Sequence, residues 1–261
     1  MRGHAPRKRF GQNFLVSPGV VRRIVDAIHP LPGDPVVEIG PGLGALTEPL
    51  LAILPVLHVV EIDRDLIARL RLAHSPDCLV IHEGDALDFD FGTLGDGLRI
   101  VGNLPYNIST PLLFHLATFA DRVRDMHFML QKEVVDRMVA APGGSEYGRL
   151  SVMLQYRFVM ERLFVVPPGA FDPAPKVDSA IVRLAPKERS RLDAADPAML
   201  ARIVTAAFGQ RRKMLRNNLR DFATADELER AGIAPTARAE DQPLENFVRL
   251  ANCLAQKKTA G

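Results

Sequence analysis

Residues 98–109 read Leu-Arg-Ile-Val-Gly-Asn-Leu-Pro-Tyr-Asn-Ile-Ser, a short apolar run followed directly by a turn that contains glycine and proline. The apolar part, 98–101, has the length and the branched side chains that are typical of a buried strand. In a parallel sheet, the carboxyl ends of the strands form the ligand-binding edge. The turn that begins at Gly102 is therefore expected at the functional edge of the fold.

The four residues after Gly102 carry the groups needed to hold a planar aromatic amine. The carboxamide oxygen of Asn103 can accept a hydrogen bond from an exocyclic NH2 group. Pro105 restricts Leu104 to an extended conformation, which can aim the Leu104 carbonyl at the second N–H. Tyr106 offers a ring that can stack on an unstacked base. These residues equally fit an ordinary strand and proline turn with a core tyrosine.

Strand and helix patterns alternate on both sides of this turn. The predicted strands are 36–39, 56–62, 78–82, 98–101, 125–130, 158–166 and 179–184. The predicted helices are 18–28, 45–53, 65–73, 109–117, 132–139 and 150–156. This alternation predicts an α/β fold with a parallel, doubly wound, Rossmann-like sheet and helices on both faces.

A second region follows the α/β pattern. Residues 186–197 are polar, mix acids with bases, and predict a linker. From 198 to 256 the chain shows helical patterns and no convincing strand. We therefore predict one domain over residues 1–185 and a small all-α domain over residues 186–261.

The 261-residue chain has 47% hydrophobic and 25% charged residues, the ordinary balance of a globular protein. Its net charge is only +2, but basic residues cluster in two segments that contain no acid. The clusters are Arg2, Arg7, Lys8 and Arg9, and then Arg202, Arg211, Arg212, Lys213, Arg216 and Arg220. They predict contact with a polyanion at defined places, the alternative being solvated surface.

Cys78 and Cys253 are too few and too scattered for a disulfide framework or a zinc site. The basic N-terminus is not followed by the apolar core of a signal peptide, and the most apolar run, 50–60, is too short to span a bilayer. We expect a cytoplasmic protein without a membrane or metal partner. We also expect a monomer.

Residues that suit a nucleoside follow the three strands before residue 98. The first strand leads to Gly40, Gly42 and Gly44, which let the backbone approach a ligand, although a plain strand–helix turn fits nearly as well. The second strand ends near Glu61, which can accept hydrogen bonds from ribose hydroxyls or can simply be solvated. The third leads to Asp85, which can accept from an adenine amino group or cap a turn.

Together with the 103–106 turn, these groups fall at four successive strand ends in chain order. The combination is far more specific than any one member. It fits a nucleoside-bearing cofactor beside a planar amine. That arrangement is the one that S-adenosylmethionine-dependent methyl transfer needs.

From about residue 9 to residue 254, the chain resembles the bacterial small-subunit (16S) ribosomal RNA adenine N6,N6-dimethyltransferases. The resemblance is carried by motifs around the expected cofactor site, at 10–15, 38–44, 60–63, 84–86 and 103–109. Two further blocks, 171–179 and 208–219, separate this family from methyltransferases in general. No motif position departs from the family pattern.

The resemblance implies dimethylation of N6 of two adjacent adenines in a hairpin loop near the 3′ end of 16S rRNA, within the immature small ribosomal subunit. It implies a class I methyltransferase domain over 1–185 that binds S-adenosylmethionine, and an RNA-binding helical domain over 186–261. The cofactor-site residues implied are Asn13, Leu15, Gly40, Glu61, Asp85 and Asn103. The glycine loop adds Gly42 and Gly44 to the predicted cofactor site.

The resemblance also implies a catalytic group, and the two basic clusters predict the RNA-contacting residues. The catalytic residues would be Asn103, Leu104, Pro105, Tyr106 and Phe171. Phe171 would stack on the face of the base opposite Tyr106, the alternative being a core aromatic. The expected RNA contacts are Arg7, Lys8, Arg9, Arg211, Arg212, Lys213, Arg216 and Arg220.

Three other functions stay open. DNA-adenine and protein-glutamine methyltransferases use related Asn/Asp-Pro-Pro-Tyr loops, but Leu104 and the basic 210–219 segment count against both. A large-subunit rRNA methylase of the antibiotic-resistance type is a close relative, and the 208–219 block favours the small subunit. A ribosome-assembly factor that mainly binds the immature subunit is the third, and the intact cofactor residues argue against a pure binding protein.

Overall fold

The computed structural model describes residues 13–259. The strands are β1 Phe14–Leu15, β2 Val36–Ile39, β3 Leu57–Glu61, β4 Leu79–Glu83, β5 Leu98–Asn103, β6 Val123–Gln131, β7 Phe158–Val166, β8 Phe171–Asp172 and β9 Ser179–Pro186. The helices are α1 Pro18–Ile28, α2 Thr47–Leu51, α3 Arg64–Ala73, α4 Ser109–Ala117, α5 Lys132–Val139, α6 Arg149–Arg157, α7 Pro197–Ala207, α8 Leu215–Asn218, α9 Ala225–Arg230 and α10 Leu244–Thr259. The predicted alternation of strands and helices is therefore present.

The chain divides into two compact units. The first consists of the described residues through Val135 together with 160–186, and the second consists of 136–159 together with the described residues from 187 onward. The junction after Pro186 lies next to the predicted boundary, but the predicted first domain was wrong to include 136–159. Val152 and Tyr156 of α6 are buried in the apolar core of the second unit, which explains the difference.

The first unit is built on a seven-stranded sheet in the order β4-β3-β2-β5-β6-β9-β7. Five neighbouring strands, β4 to β6 in that order, are parallel. The chain runs outward from β2 through β3 to β4 and then returns to β5 on the other side of β2. The strand order therefore reverses between β2 and β5, and this switch point is where open α/β sheets bind ligands.

The far side of the sheet departs from the prediction of a wholly parallel arrangement. β9 pairs with β6 in the antiparallel sense, with Gln131 opposite Ser179 at one end and Met126 opposite Leu184 at the other. The strand therefore starts beside the carboxyl end of β6. Mixed sheets of this kind are common in α/β folds, because an antiparallel strand at one side needs no crossover helix.

Gly102 lets β5 lie close to β2 near the switch point. A Cβ atom at this position would lie 2.5 Å from the carbonyl oxygen of Ile39 and 3.2 Å from the Leu104 side chain. Any side chain there would push the two strands apart. The glycine before Asn103 is thus a packing requirement of the edge that carries the site.

A buried ion-pair network anchors the opposite end of β5. Arg99, which is 4% exposed, donates to Asp125 of β6 at 2.9 Å and to Asp34 at 2.7 Å. It also donates to the carbonyl oxygens of Ile28 and His29 at the end of α1. A buried guanidinium needs such partners. They fix the amino end of β5, the strand whose carboxyl end carries the site.

The second unit is a helical bundle with its own apolar core. Ile203 of α7 and Phe247 and Leu250 of α10 are 0% exposed and belong to one cluster with Leu215 of α8. Apolar residues three or four positions apart put one face of each helix into this core. Within residues 13–259, none of the helices has the length and apolarity that crossing a bilayer requires.

Candidate active site

A cavity of about 310 Å³ opens in the first unit at the carboxyl ends of β2, β3, β4 and β5. Its volume lies at the lower end of the range that small-molecule sites occupy. Its walls come from the stretches that the sequence singled out and from the β1 segment: 13–15, 38–43, 45–46, 60–62, 66, 84–86 and 103–108. The four strand-end motifs predicted to converge do converge here.

The loop after β2 carries its glycines in conformations that other residues rarely adopt. Gly40, Gly42 and Gly44 have φ angles of 66°, 59° and 90°. A Cβ at Gly42 would also lie 3.3 Å from the Phe14 ring, a tight contact that adds to the strain of a side chain at this positive φ. Gly40 and Gly42 line the cavity, whereas Gly44 does not. Gly44 lies in the turn into α2, and its cofactor contact stays a prediction.

Asn103 is held with one end of its carboxamide against the β1 segment. Its Nδ2 donates to the carbonyl oxygen of Asn13 at 3.0 Å. Its Oδ1 accepts no hydrogen bond from the described residues, and the side chain lies in the cavity wall. The acceptor that the sequence predicted for an incoming amine is therefore available. Asn13 and Leu15, which the sequence alone reads as lead-in loop, also line the cavity.

Leu104 is fixed by its backbone and by its burial. Its N–H donates to the carbonyl oxygen of Met129 on β6 at 3.1 Å, and the residue is 1% exposed. Its own carbonyl oxygen accepts no hydrogen bond within the described part of the chain. The turn thus supplies two vacant acceptors on consecutive residues, the Asn103 amide oxygen and the Leu104 carbonyl.

The Tyr106 side chain is fixed at its far end. Its hydroxyl shares a 2.7 Å hydrogen bond with the hydroxyl of Ser179, the first residue of β9, which is fully buried. Burial raises the pKa of Tyr106, so the hydroxyl stays protonated. This contact limits rotation of the ring, which lines the cavity. The sequence did not single out Ser179 for this role, because the pairing depends on where β9 starts.

Glu61 ends β3 with its carboxylate turned back onto its own backbone. Its Oε1 accepts from the N–H groups of Ile62 at 2.9 Å and Asp63 at 2.8 Å. Burial raises the pKa of Glu61, whereas these N–H groups and that of Gly42 oppose the rise. The residue is only 7% exposed and lies on the cavity wall, so it is not the solvated surface acid that the sequence left open.

Asp85 combines the two roles that the sequence offered as alternatives. Its Oδ1 accepts from the backbone N–H of Leu87 at 2.9 Å, which closes a turn after β4. The residue also lines the cavity, and its Oδ2 has no hydrogen-bond donor among residues 13–259. One oxygen therefore stabilises the loop while the other can accept from a ligand.

Glu38 is a cavity residue that the sequence analysis did not assign. It is 2% exposed, and its Oε2 accepts a 2.6 Å hydrogen bond from the Thr47 hydroxyl of α2. Burial raises the pKa of Glu38 to about 7, the Thr47 hydroxyl opposes this, and the nearby Glu61 carboxylate adds to it. Its place two residues before Gly40, in an otherwise apolar strand, was the signal that could have identified it.

Phe171 lies next to the β1 segment of the cavity wall. Its backbone pairs with Leu15, so the two residues form a small separate sheet of β1 and β8. The side chain is 5% exposed and belongs to the apolar core of the first unit, which is the alternative role that the sequence offered. Stacking of Phe171 on the base opposite Tyr106 stays a prediction.

The basic segment 202–220 is not one helix. α7 ends at Ala207, the chain turns through 208–214, and the short α8 follows. Arg211 is bound by the second unit itself: its Nε donates to Glu240 at 2.7 Å and its Nη2 donates to the carbonyl oxygen of Ser145. Arg211 therefore joins three loops of the second unit, and its RNA contact stays a prediction.

The other cations of this segment point into solvent. Arg212, Lys213 and Arg216 are exposed and form no ion pair within the described chain, and Arg220 has only a long 3.8 Å contact with Asp221. Lys213 and Arg220 line an open, polar hollow. The predicted contacts of Arg7, Lys8 and Arg9 lie outside the described residues. Across 13–259, the structure brings together no group of three or more His, Cys, Asp or Glu residues that could hold a metal ion.

Comparison with known proteins decides the family. The family model for ribosomal RNA adenine dimethylase matches residues 3–256. The chain belongs to this family. It is 64% identical to the ribosomal RNA small subunit methyltransferase A of Aromatoleum aromaticum, over 98% of this chain and 97% of the relative. It is 62% identical to the protein of the same name from Thiobacillus denitrificans, over 97% of this chain and all of the relative.

Solved structures agree with this adenine dimethylase assignment. A dimethyladenosine transferase from Plasmodium falciparum superposes with a TM-score of 0.80 at 27% identity, covering 94% of this chain and 98% of that one. The 23S rRNA methyltransferase ErmE superposes with a TM-score of 0.71 at 27% identity, covering 94% of this chain and 100% of that one. The predicted family, Rossmann-like methyltransferase fold and enzyme class are thereby confirmed.

This adenine dimethylase is an enzyme that dimethylates adenine in ribosomal RNA. Its methyl donor is S-adenosylmethionine, as the sequence predicted.

Proposed function

We propose that this enzyme methylates N6 of two adjacent adenines in a hairpin loop near the 3′ end of 16S rRNA, within the immature small ribosomal subunit. The observation that carries the proposal is 62–64% identity, over nearly the whole chain, to enzymes named ribosomal RNA small subunit methyltransferase A. The 23S rRNA methyltransferase ErmE is 27% identical, which supports shared chemistry more than a shared substrate. A ribosomal substrate also favours the cytoplasmic location that the sequence predicts.

The cavity fits an adenosine-bearing methyl donor. Asp85 would accept from the adenine amine through its vacant oxygen, and Glu61 would accept from the ribose hydroxyls. The loop at Gly40 and Gly42 leaves room for the backbone to approach the donor, because no Cβ atom projects there. When bound, the donor supplies a methyl group carried by a sulfonium sulfur. No metal ion takes part in this proposal.

The turn after β5 would hold the target adenine by its exocyclic amine. Asn103 Oδ1 and the Leu104 carbonyl are both vacant acceptors, which matches an NH2 group with two hydrogens. The N6 lone pair is conjugated with the ring and is a poor nucleophile. Two acceptors pull the nitrogen toward tetrahedral geometry, free the lone pair, and stabilise the positive charge that develops on it.

Tyr106 would stack on the target base and limit its motion. The Ser179 hydroxyl bonds to the Tyr106 hydroxyl and so fixes the ring, which places the stacking surface before the base binds. The ring also attracts the developing charge by about 0.5–2 kcal/mol. Orientation is the larger effect, since holding the two reactants in near-attack geometry can lower the activation barrier by roughly 7–11 kcal/mol.

The second unit would supply part of the RNA-binding surface, with the first unit acting as the methyltransferase domain. Arg212, Lys213, Arg216 and Arg220 are exposed and have no close acidic partner in the described chain, as phosphate contacts require. Lys213 and Arg220 meet at a polar hollow that can admit a phosphate group. Arg7, Lys8 and Arg9 would also contact the RNA, and the enzyme would act as a monomer.

A second candidate is methylation of large-subunit rRNA, which the likeness to ErmE favours. The test is transfer of labelled methyl groups to unmethylated small subunits, large subunits and DNA in parallel, with the labelled position mapped by nuclease digestion. We expect label in two adjacent adenines near the 3′ end of 16S rRNA. Label confined to large-subunit RNA would support the second candidate, and label at scattered adenines would refute the proposed site.

A further inference from the structure

Glu38 lies in the wall of the cofactor cavity, although the proposed binding of ribose, adenine and target amine does not use it. It is 2% exposed, and Thr47 donates to its Oε2 at 2.6 Å. Its Oε1 accepts no hydrogen bond from any described residue. This oxygen is not among the fully buried, unpaired atoms of the described residues, so it keeps some contact with the cavity. A bound ligand would remove it from water, and such a carboxylate is costly unless it is protonated or a cation lies close to it.

The strand order puts Glu38 between two parts of the proposed site. On one side of β2, Glu61 is the last residue of β3 and Asp85 follows β4. On the other side, Asn103 is the last residue of β5. If the proposed function holds, the adenosine lies toward the first side and the target amine toward the second. The sulfonium that connects them then lies over the end of β2, near Glu38.

We propose that Glu38 senses the charge of the cofactor: it carries a proton in part of the empty protein and releases it to solvent when the cationic methyl donor binds. The reaction is balanced by one proton, since neutral Glu38 plus the cationic donor gives the carboxylate, the bound donor and H⁺. The product S-adenosylhomocysteine has a neutral thioether and lacks the charge that favours ionisation. Glu38 therefore favours the donor over the product when it is ionised.

The groups around Glu38 support proton exchange near neutral pH. Burial raises its pKa to about 7, Thr47 lowers it and Glu61 raises it further. Its pairing neighbours on β3 and β5, Val59 and Val101, are uncharged, so Glu61 is the charged group that faces it among the described residues. A carboxyl group with this pKa is about half protonated at pH 7.

The consequence is a pH-dependent preference for the donor. Affinity for S-adenosylmethionine should rise about tenfold between pH 6 and pH 8. At pH 6 most of the empty protein must lose the Glu38 proton to bind the donor, whereas at pH 8 most of it is already ionised. Affinity for S-adenosylhomocysteine should change much less over the same range. Glu61 acts on both ligands through the ribose that they share, so its titration cancels in the ratio of the two affinities.

Calorimetry of the full-length protein at pH 7, in buffers of different ionisation enthalpy, counts the protons directly. Donor binding should release about half a proton from Glu38, and product binding should release close to none. The α-amino group of either ligand titrates near pH 7.7–8.0 by itself. We therefore compare wild type with Glu38→Gln for the same ligand, since the contribution of the ligand cancels in that difference.

Two further measurements keep the test decisive. Thr47→Val removes the hydroxyl that lowers the pKa of Glu38, so its donor binding should release more protons than wild type does, even if Glu38→Gln does not fold. Sinefungin, which carries an amine in place of the methyl sulfonium, should release protons as the donor does.

Equal proton release by wild type and Glu38→Gln, or by wild type and Thr47→Val, would overturn the inference while leaving cofactor binding intact. Failure of the wild type to bind the donor at all would refute the proposed cofactor site instead.

Discussion

Replacing Glu38 with glutamine should stabilise the cofactor-free protein at neutral and alkaline pH. The substitution keeps the size of the side chain and an acceptor for the Thr47 hydroxyl, which donates at 2.6 Å. It removes a carboxylate that is 2% exposed and therefore poorly solvated when ionised. The benefit should grow with pH, because the protonated acid is tolerated in the interior better than the carboxylate is.

The size of the effect follows from the difference in pKa between the folded and unfolded chain. The pKa of Glu38 is raised from 4.5 to about 7 in the folded protein. The stabilising contribution of the protonated group is complete below pH 4.5 and is lost as pH rises through 7. Each pKa unit corresponds to about 1.4 kcal/mol, so the full effect on the free energy of unfolding is about 3 kcal/mol. Roughly 2 kcal/mol of it falls between pH 5.5 and pH 8.

Urea denaturation of both proteins at a series of pH values measures this prediction. The free energy of unfolding of Glu38→Gln, minus that of wild type, should increase by about 2 kcal/mol from pH 5.5 to pH 8. A constant offset between the two proteins is expected and does not matter, because only the slope reports the titration. A difference that stays flat across this range would refute the reasoning, since it would mean that Glu38 has the same pKa in the folded and the unfolded chain.

Three other substitutions test separate parts of the site. Ser179→Ala should lower the methyl-transfer rate about fivefold through loss of one hydrogen bond to Tyr106, with RNA affinity unchanged. If the rate losses of Ser179→Ala and Tyr106→Phe simply added in the double variant, the shared hydrogen bond would be contradicted. Glu61→Ala should weaken cofactor binding by about 1–3 kcal/mol in calorimetry, and equal affinity would remove Glu61 from the site. Changing Arg212 and Lys213 to Gln should reduce the slope of log K for RNA against log salt by roughly 0.7–0.9 per contact. Filter binding across a salt series measures this slope, and an unchanged value would return both side chains to solvated surface.

Local patterns predicted much of the first unit. The bounds of α4 at Ser109–Ala117 and of β2 at Val36–Ile39 were predicted as found, because each is set by apolar periodicity and nearby Gly or Pro. The four strand-end motifs also converged as expected, since parallel strands present their carboxyl ends at one edge. What the sequence predicted well therefore depends on neighbours along the chain.

Contacts between distant segments could not be predicted. Pairing of its strand with Leu15 buries Phe171 in the core. Glu240 and the carbonyl oxygen of Ser145 bind Arg211. No local pattern encodes such partners.

The 136–159 segment was assigned to the wrong unit for the same reason. Its helix α6 follows the α/β pattern in sequence, but its apolar face is buried by helices that lie after residue 187. The polar linker at 186–197 marks one domain boundary. It gives no sign that the earlier segment 136–159 belongs to the second unit.

The proposed mechanism depends most directly on Asn103 as an acceptor for the target amine. Single-turnover methyl transfer at saturating RNA and cofactor should be roughly 10²-fold slower in Asn103→Ala, by analogy with loss of one group that stabilises developing charge, while RNA affinity stays close to wild type. Asn103→Asp keeps an acceptor oxygen and should retain more of the rate than Ala does. An unchanged rate in Asn103→Ala, or a loss explained wholly by weaker RNA binding, would contradict the account.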